Sequence, residues 1–256
     1  MSADSVIASL AKHDPMLLRQ PAISDPALLP RLAAELPKFD EQAKALTAAY
    51  LEKYDNRESA ELLLRMTREN VQVAAAAVRS LNKLSTVPAP DSLLAAIPLA
   101  SDKYVRGQLY LVTGKSKAPV DLDKLRNIAR SEKNPEALAD LLAAVVKLGG
   151  TNERATFLNL VRSASADQVI RTQEHLLYVN DVRFAKGMLP WFDSDDGVMR
   201  IGSDRQGGMM ARKKDFAVWI AHQLGVKFQM TPEHLTNFSD AVIAAARKAV
   251  QALPDA

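Results

Sequence analysis

Residues 134–150 read NPEALADLLAAVVKLGG and carry the clearest structural signal in the chain. Asn134 can accept a hydrogen bond from the free amides of a first helical turn. Pro135 then occupies the first helical position, where its missing N–H costs nothing. Ala and Leu recur at three- and four-residue spacing until Gly149 and Gly150 interrupt the pattern. This stretch predicts an amphipathic α-helix with defined ends.

Comparable helix starts recur along the chain at nearly constant intervals of 31, 33 and 31 residues, at Asn70, Ser101, Asn134 and Ser165. Shorter amphipathic stretches between them supply a first helix for each pair, at 91–100, 121–130 and 152–164. A pair of this size cannot bury its apolar stripe alone, so we expect the pairs to stack around one continuous core. Eight residues are expected to face that core: Val73, Ala77, Val105, Leu109, Leu142, Val146, Ile170 and Leu177.

The second helices share a further pattern, in which a polar start is followed by a Val-Arg-like pair and then by Ala and Leu positions. The pair is Val105-Arg106 in one repeat and Ile170-Arg171 in another, and a helix of the same kind is predicted over 210–220. The signatures of TPR and ankyrin repeats are not matched. Over roughly 57–225 the chain resembles HEAT-like helical repeats. That resemblance implies an all-α fold, a right-handed α-solenoid of stacked antiparallel helix pairs.

We expect one continuous domain with three parts. Residues 1–56 contain several prolines and predict an N-terminal cap of short helices. Residues 57–230 hold the repeats, with an insertion at about 181–208. Residues 231–256 predict a C-terminal capping helix that begins at Thr231, with Pro232 in its first turn.

The composition excludes several classes of protein. The chain has 256 residues and no Cys, which rules out disulfides, thiolate-bound zinc and a cysteine nucleophile. The net charge of +3 neither requires nor forbids nucleic acid. The longest uncharged apolar run, 141–146, is far shorter than a spanning helix, and the N-terminus lacks a basic region before an apolar core. We therefore expect no membrane insertion and a cytoplasmic location, with an exported mature form left open.

No residue is predicted to be catalytic, and no cofactor or metal is expected. The four histidines are too far apart for an HExxH pair. The acidic stretch 193–197, DSDDG, has too few alternating ligands and no later Glu for a calcium loop. Gly207 and Gly208 precede a predicted helix but match neither nucleotide-binding glycine pattern, so we expect them to close a loop.

The leading functional hypothesis is a non-enzymatic protein–protein interaction module, such as a scaffold, an adaptor or an inhibitor-type binder. In a helical repeat the second helices build an extended concave surface that binds another protein. Candidate contacts are Trp191, the insertion from Asp193 to Lys214 and polar residues of those helices: Arg79, Lys103, Arg106, Arg171 and Glu174.

The alternative hypothesis is a protein that binds nucleic acid or processes DNA bases. Phosphate contacts would come from basic residues in and after the insertion: Arg200, Arg205, Arg212, Lys213 and Lys214. The cluster Trp191-Phe192-Asp193 is similar to the aromatic and Asp residues with which HEAT-like alkylpurine DNA glycosylases hold a lesion. This hypothesis predicts that basic side chains gather on the concave face.

Overall fold

The computed structural model describes residues 1–202, 208–230 and 234–256. The described chain is mostly helical, which confirms the expected all-α character. It divides into two compact units, Met1–Ala144 and Val145–Ala256. The boundaries predicted near residues 56 and 230 lie inside these units and stay predictions.

The regular secondary structure of unit 1 is entirely helical. Short 3-10 helices cover Pro15–Arg19, Leu36–Lys38 and Ile97–Leu99. The α-helices are α1 Ala3–Ala11, α2 Leu28–Glu35, α3 Glu41–Leu51, α4 Arg57–Met66, α5 Val71–Lys83, α6 Pro90–Ala96, α7 Lys103–Thr113, α8 Leu122–Ala129 and α9 Pro135–Lys147, which runs across the boundary into unit 2.

The second helices of unit 1 begin where polar side chains cap them. The Asn70 side chain accepts from the Val73 amide at 3.1 Å, and Asn134 Oδ1 accepts from the Ala137 amide at 3.1 Å. These two predicted starts are confirmed. At α7 the cap is Asp102, one residue after the predicted Ser101, because a carboxylate serves the amides of Tyr104 and Val105 at 2.9 and 3.1 Å.

Successive second helices lie side by side. Helix α5 packs against α3 and α7. Lys115, just after α7, donates to the carbonyls of Asn82 and Leu84 at 2.5 and 2.7 Å, so the C-terminal ends of α5 and α7 meet and the two helices run parallel. Helix α9 comes close to α7 at Gly107, where an added Cβ would lie 3.5 Å from the Ala137 Cα. The first helices α4 and α6 pack against α5 and α7.

The predicted core positions are only partly correct. Five of them are buried: Val73, Ala77, Val105, Leu109 and Val146. The prediction for Ile170 is wrong, since its side chain is 44% exposed. Leu142 and Leu177 are only half-buried. Their neighbours Leu141 and Leu176 are buried instead. One residue corresponds to about 100° of helix rotation, so a one-residue error in phase moves a side chain from the core to its edge.

Unit 2 combines helices with a β-hairpin that the sequence did not predict. After the end of α9 come α10 Arg154–Ser163, α11 Val169–Val179, a 3-10 helix Val182–Asp193, the strands β1 Gly197–Ile201 and β2 Met209–Arg212, α12 Lys213–Gln223 and α13 Asp240–Gln251. A 3-10 turn at Ala166–Gln168 precedes α11 and follows the predicted start at Ser165.

Two predicted helices begin later in the chain than expected. Met210 lies in β2 and pairs with Arg200 of β1, so the helix predicted from residue 210 begins at Lys213. The C-terminal helix predicted from Thr231 begins only at Asp240, with Ser239 as its N-cap, and residues 234–239 are not helical. Thr231 and Pro232 lie outside the described residues.

In the parts of the chain that the structure covers, the membrane-span criterion of length and apolarity is met by none of the helices.

Candidate functional site

The candidate functional site is a solvent-facing group of side chains on three helices of unit 1, α5, α7 and α9. Helical spacing of three or four residues places its members on one side of each of three helices. We call it the α5–α7–α9 face, and it consists of Gln72, Ala75, Ala76 and Arg79 on α5, Tyr104, Gln108 and Leu111 on α7, and Leu138, Ala139 and Leu142 on α9.

This face is mainly apolar. Two large side chains on neighbouring helices are partly exposed to solvent, Tyr104 at 39% and Leu138 at 36%. The other apolar side chains of this face are half-buried, namely Ala75, Ala76, Leu111, Ala139 and Leu142. Contiguous exposed apolar surface on a folded protein marks a site of interaction more often than scattered apolar residues do.

Polar contacts fix the relative heights of the three helices. Asn82 Nδ2 of α5 donates to Gln108 Oε1 of α7 at 2.6 Å. Arg79 lies one turn before Asn82, and Tyr104 lies one turn before Gln108, so the two side chains stand at the same level on parallel helices. On the other flank, Lys103 Nζ lies 3.4 Å from Glu136 Oε2, which aligns the first turns of α7 and α9.

Arg79 is the charged residue of this face. Its side chain is exposed, and within the described part of the chain it has no hydrogen-bond or ion-pair partner. Lys103, beside the face, is paired with Glu136. Of the predicted contact residues in unit 1, Arg79 and Lys103 therefore lie at the surface as expected.

Arg106, in contrast, uses its guanidinium group in hydrogen bonds within the protein. Its Nε and Nη2 donate to the two oxygens of Glu132 at 2.6 and 3.1 Å, and its Nη1 donates to the Ala100 and Ser101 carbonyls at 3.1 and 2.8 Å. The Glu132 side chain is only 3% exposed. The hydrogen bonds from Arg106 lower the pKa of Glu132, so the carboxyl is held as the anion. Arg106 is thus occupied in joining α7 to the segment before α9.

Arg171 and Glu174 belong to α11 of unit 2. Arg171 is half-buried, whereas Glu174 is exposed. Neither residue is part of the α5–α7–α9 face.

The aromatic cluster at 191–193 is not arranged to hold a base. Trp191 is fully buried, and its indole N–H donates to the Val161 carbonyl at 2.9 Å. Asp193 points away to the surface, where both its oxygens accept from Arg247 at 2.6 and 3.0 Å. Trp191 is therefore a core residue, and its ring and the Asp193 carboxylate have separate partners; their role in binding stays a prediction.

The predicted basic cluster is bound to the protein's own acceptors. Arg212 makes a bidentate pair with the fully buried Asp215, through Nε at 2.8 Å and Nη2 at 2.9 Å. Lys214 Nζ lies 2.6 Å from Asp195 Oδ1 and lowers the pKa of that carboxyl. Lys213 Nζ donates to the Ala164 carbonyl, and burial lowers its pKa. The three cations are occupied within the fold.

The other predicted residues of the insertion lie on the hairpin, in the acidic stretch or outside the described residues. Arg200 is exposed on β1, opposite Met210. Arg205 and Gly207 lie outside the described residues. In the acidic stretch 193–197, Asp193 pairs with Arg247, and Asp195 pairs with Arg212 and Lys214. Asp196 accepts from the Ser194 hydroxyl at 2.8 Å. In the described ranges, no cluster of three or more His, Asp or Glu side chains is placed to hold a metal ion.

Sequence analysis did not predict a cleft of about 480 Å³ between α2 and α4 in unit 1. Its apolar wall contains Leu29, Ala33 and Leu62. Two arginines and two glutamates border it: Arg57, Glu58, Glu61 and Arg65. Because both charge signs are present in equal number, its chemistry selects no class of ligand.

Comparisons with protein-family models, with curated proteins and with solved structures gave no match. The proposal for the function therefore rests on this chain's own residues.

Proposed function

We propose that this protein is a non-enzymatic protein–protein interaction module built as a short HEAT-like stack of helix pairs. The second helices of unit 1 lie at the inner side of that stack, and the α5–α7–α9 face receives a segment of a partner protein. The observation that carries this proposal is the uncovered apolar surface around Tyr104 and Leu138.

The chemistry of this face suits protein recognition. An aromatic ring contributes a large contact area at small entropic cost, and Tyr is enriched among the residues that dominate binding energy at interfaces. Leu138 supplies a second apolar anchor on the adjacent helix. Covering both side chains removes apolar surface from water, at about 25 cal/mol per Å².

The nucleic-acid alternative gains no support from the basic residues at 212–214. Arg212, Lys213 and Lys214 have internal partners, and phosphate binding would have to displace those partners. Pairing within the fold thus occupies the cations to which this alternative assigned the phosphate contacts.

The proposal is tested by selecting random 12-residue peptides for binding to the full chain. The variant Tyr104→Ser with Leu138→Ser is expected to lose binding of the selected peptides. The matched control Met16→Ser with Leu18→Ser removes two side chains of similar exposure, 49% and 38%, from another part of unit 1 and is expected to retain binding. Circular dichroism verifies that both variants fold.

Two results would contradict the proposal. One is the absence of any enriched peptide, and the other is equal binding by the Tyr104 and Leu138 variant. Labelled single- and double-stranded DNA and RNA are measured in parallel at about 50 to 200 mM salt, where phosphate-driven binding weakens steeply. Tight binding with that salt dependence would favour the nucleic-acid alternative.

A further inference from the structure

The position of Arg79 on the α5–α7–α9 face determines what kind of segment can bind there. Arg79 stands level with Tyr104 on the adjacent parallel helix and follows Ala75 and Ala76 by one turn. An apolar segment lying over Tyr104 and the two alanines would also cover the guanidinium group. A buried cation without a partner is strongly unfavourable, so such a segment must bring an acceptor for Arg79.

The protein itself does not supply that acceptor in the described residues. Two uncharged polar side chains follow Arg79 on α5: Ser80 Oγ donates to Glu52 Oε1 at 2.9 Å, and Asn82 donates to Gln108 at 2.6 Å. The acidic residue at the other flank of the face, Glu136, is 3.4 Å from Lys103. Arg79 is consequently the charge on this face that is left for a ligand.

We propose that the α5–α7–α9 face selects a peptide segment that carries one carboxylate, which pairs with Arg79, followed by apolar side chains that cover Tyr104 and Leu138. A carboxylate matches the planar guanidinium group with two parallel hydrogen bonds. This inference rests on the proposed function and specifies its partner.

The width of the face sets the length of the segment. Packed helices lie 8–10 Å apart, so the distance from α5 across α7 to α9 is about 20 Å. An extended chain rises about 3.3 Å per residue, so six or seven residues span the three helices. A 12-residue random peptide is long enough to place the carboxylate at α5 and apolar residues at α7 and α9.

The test compares peptides selected by the wild-type protein with those selected by Arg79→Glu. The wild-type pool is expected to be enriched in Asp or Glu next to apolar residues, and the Arg79→Glu pool in Lys or Arg. For one selected peptide, Arg79→Glu is expected to weaken binding at least tenfold. Replacing the peptide's acid by Lys should restore binding to Arg79→Glu and abolish it for the wild type.

The control variant is Arg68→Glu, which reverses another exposed arginine of unit 1 that has no side-chain partner among the described residues. It is expected to leave the acidic preference unchanged. An acidic preference that persists in Arg79→Glu, or a wild-type pool without acids, would overturn this inference while enriched peptides still support the proposed function. Absence of any enriched peptide would overturn both.

A phosphorylated version of the selected peptide separates carboxylate recognition from phosphate recognition. Phosphoserine in place of the acid is expected to bind no more tightly than the carboxylate, because the face offers one free cation in the described chain. Binding more than tenfold tighter would show that the face recognises phosphate and would overturn the proposal.

Discussion

Replacing Arg106 by Met is expected to destabilise the protein by about 3 kcal/mol. The substitution removes the two hydrogen bonds to Glu132 and the two to the Ala100 and Ser101 carbonyls. Hydrogen bonds to charged groups contribute about 1.5–3 kcal/mol each, and breaking a buried pair costs about 3–5 kcal/mol. Because the Arg106 side chain is 23% exposed, we take the lower end of that range.

Urea unfolding followed by far-UV circular dichroism measures this change in the free energy of unfolding. Arg106→Lys keeps the charge but loses the bidentate geometry, so a smaller loss is expected. Arg68→Met, at an exposed arginine without a side-chain partner in the described chain, is expected to change stability by less than about 0.5 kcal/mol. A loss below about 1 kcal/mol for Arg106→Met would refute the assignment of a structural role.

The same pair predicts a pH dependence. The folded-state pKa of Glu132 is lowered by its hydrogen bonds from Arg106, whereas an unfolded Glu titrates near 4.3. The stabilisation is therefore complete above about pH 4.3 and is lost as the pH falls through the lowered folded-state pKa. The difference between the wild type and Arg106→Met should be largest near pH 7 and smaller near pH 3. A difference that grows on acidification would contradict this linkage.

Three other predictions can be checked on the same preparations. Val73→Asp, at a fully buried position, should lower the melting temperature more than Leu142→Asp, at a half-buried position, and the reverse order would contradict the assigned core. Hydrogen bonds from Ser85 and Thr86 lower the pKa of Asp55 to about 2, so Ser85→Ala should raise the midpoint of its carboxyl titration by NMR; an unchanged midpoint would exclude that cause. Trp191→Phe removes the bond to the Val161 carbonyl and should cost about 1–2 kcal/mol in unfolding free energy, with peptide binding as in the wild type.

The helix starts were predictable from the sequence because their causes are local. Asn70 and Asn134 cap the amides three residues later, and the apolar spacing that follows is contained in the same segment. The hairpin was missed because β2 reads MMAR, without the β-branched residues that favour strands, and its partner strand β1 ends eight residues earlier in the sequence. Its pairing is a tertiary property that no single window contains.

The roles of charged side chains were less predictable than the helices. Arg79 and Arg106 look alike in the sequence, since each lies on a second helix. Glu132 is 26 residues away from Arg106, and only the packing of α7 on the following segment shows that they meet. The exposed position of Leu138 was equally hidden, because an apolar residue on an amphipathic helix is expected in the core until the phase of the helix is known.

The polar contacts that hold unit 1 together are separate from the apolar side chains and from Arg79 of the α5–α7–α9 face. Polar contacts join residues about one repeat apart, as in Lys83 with Glu52 at a separation of 31 and Lys115 with the Asn82 carbonyl at 33. These contacts join neighbouring helices of unit 1 to one another. The side chains of Arg79, Tyr104 and Leu138 take no part in these contacts. Under the proposed function, selection of a partner can therefore depend on Tyr104, Leu138 and Arg79 without disturbing the contacts that hold the helices together.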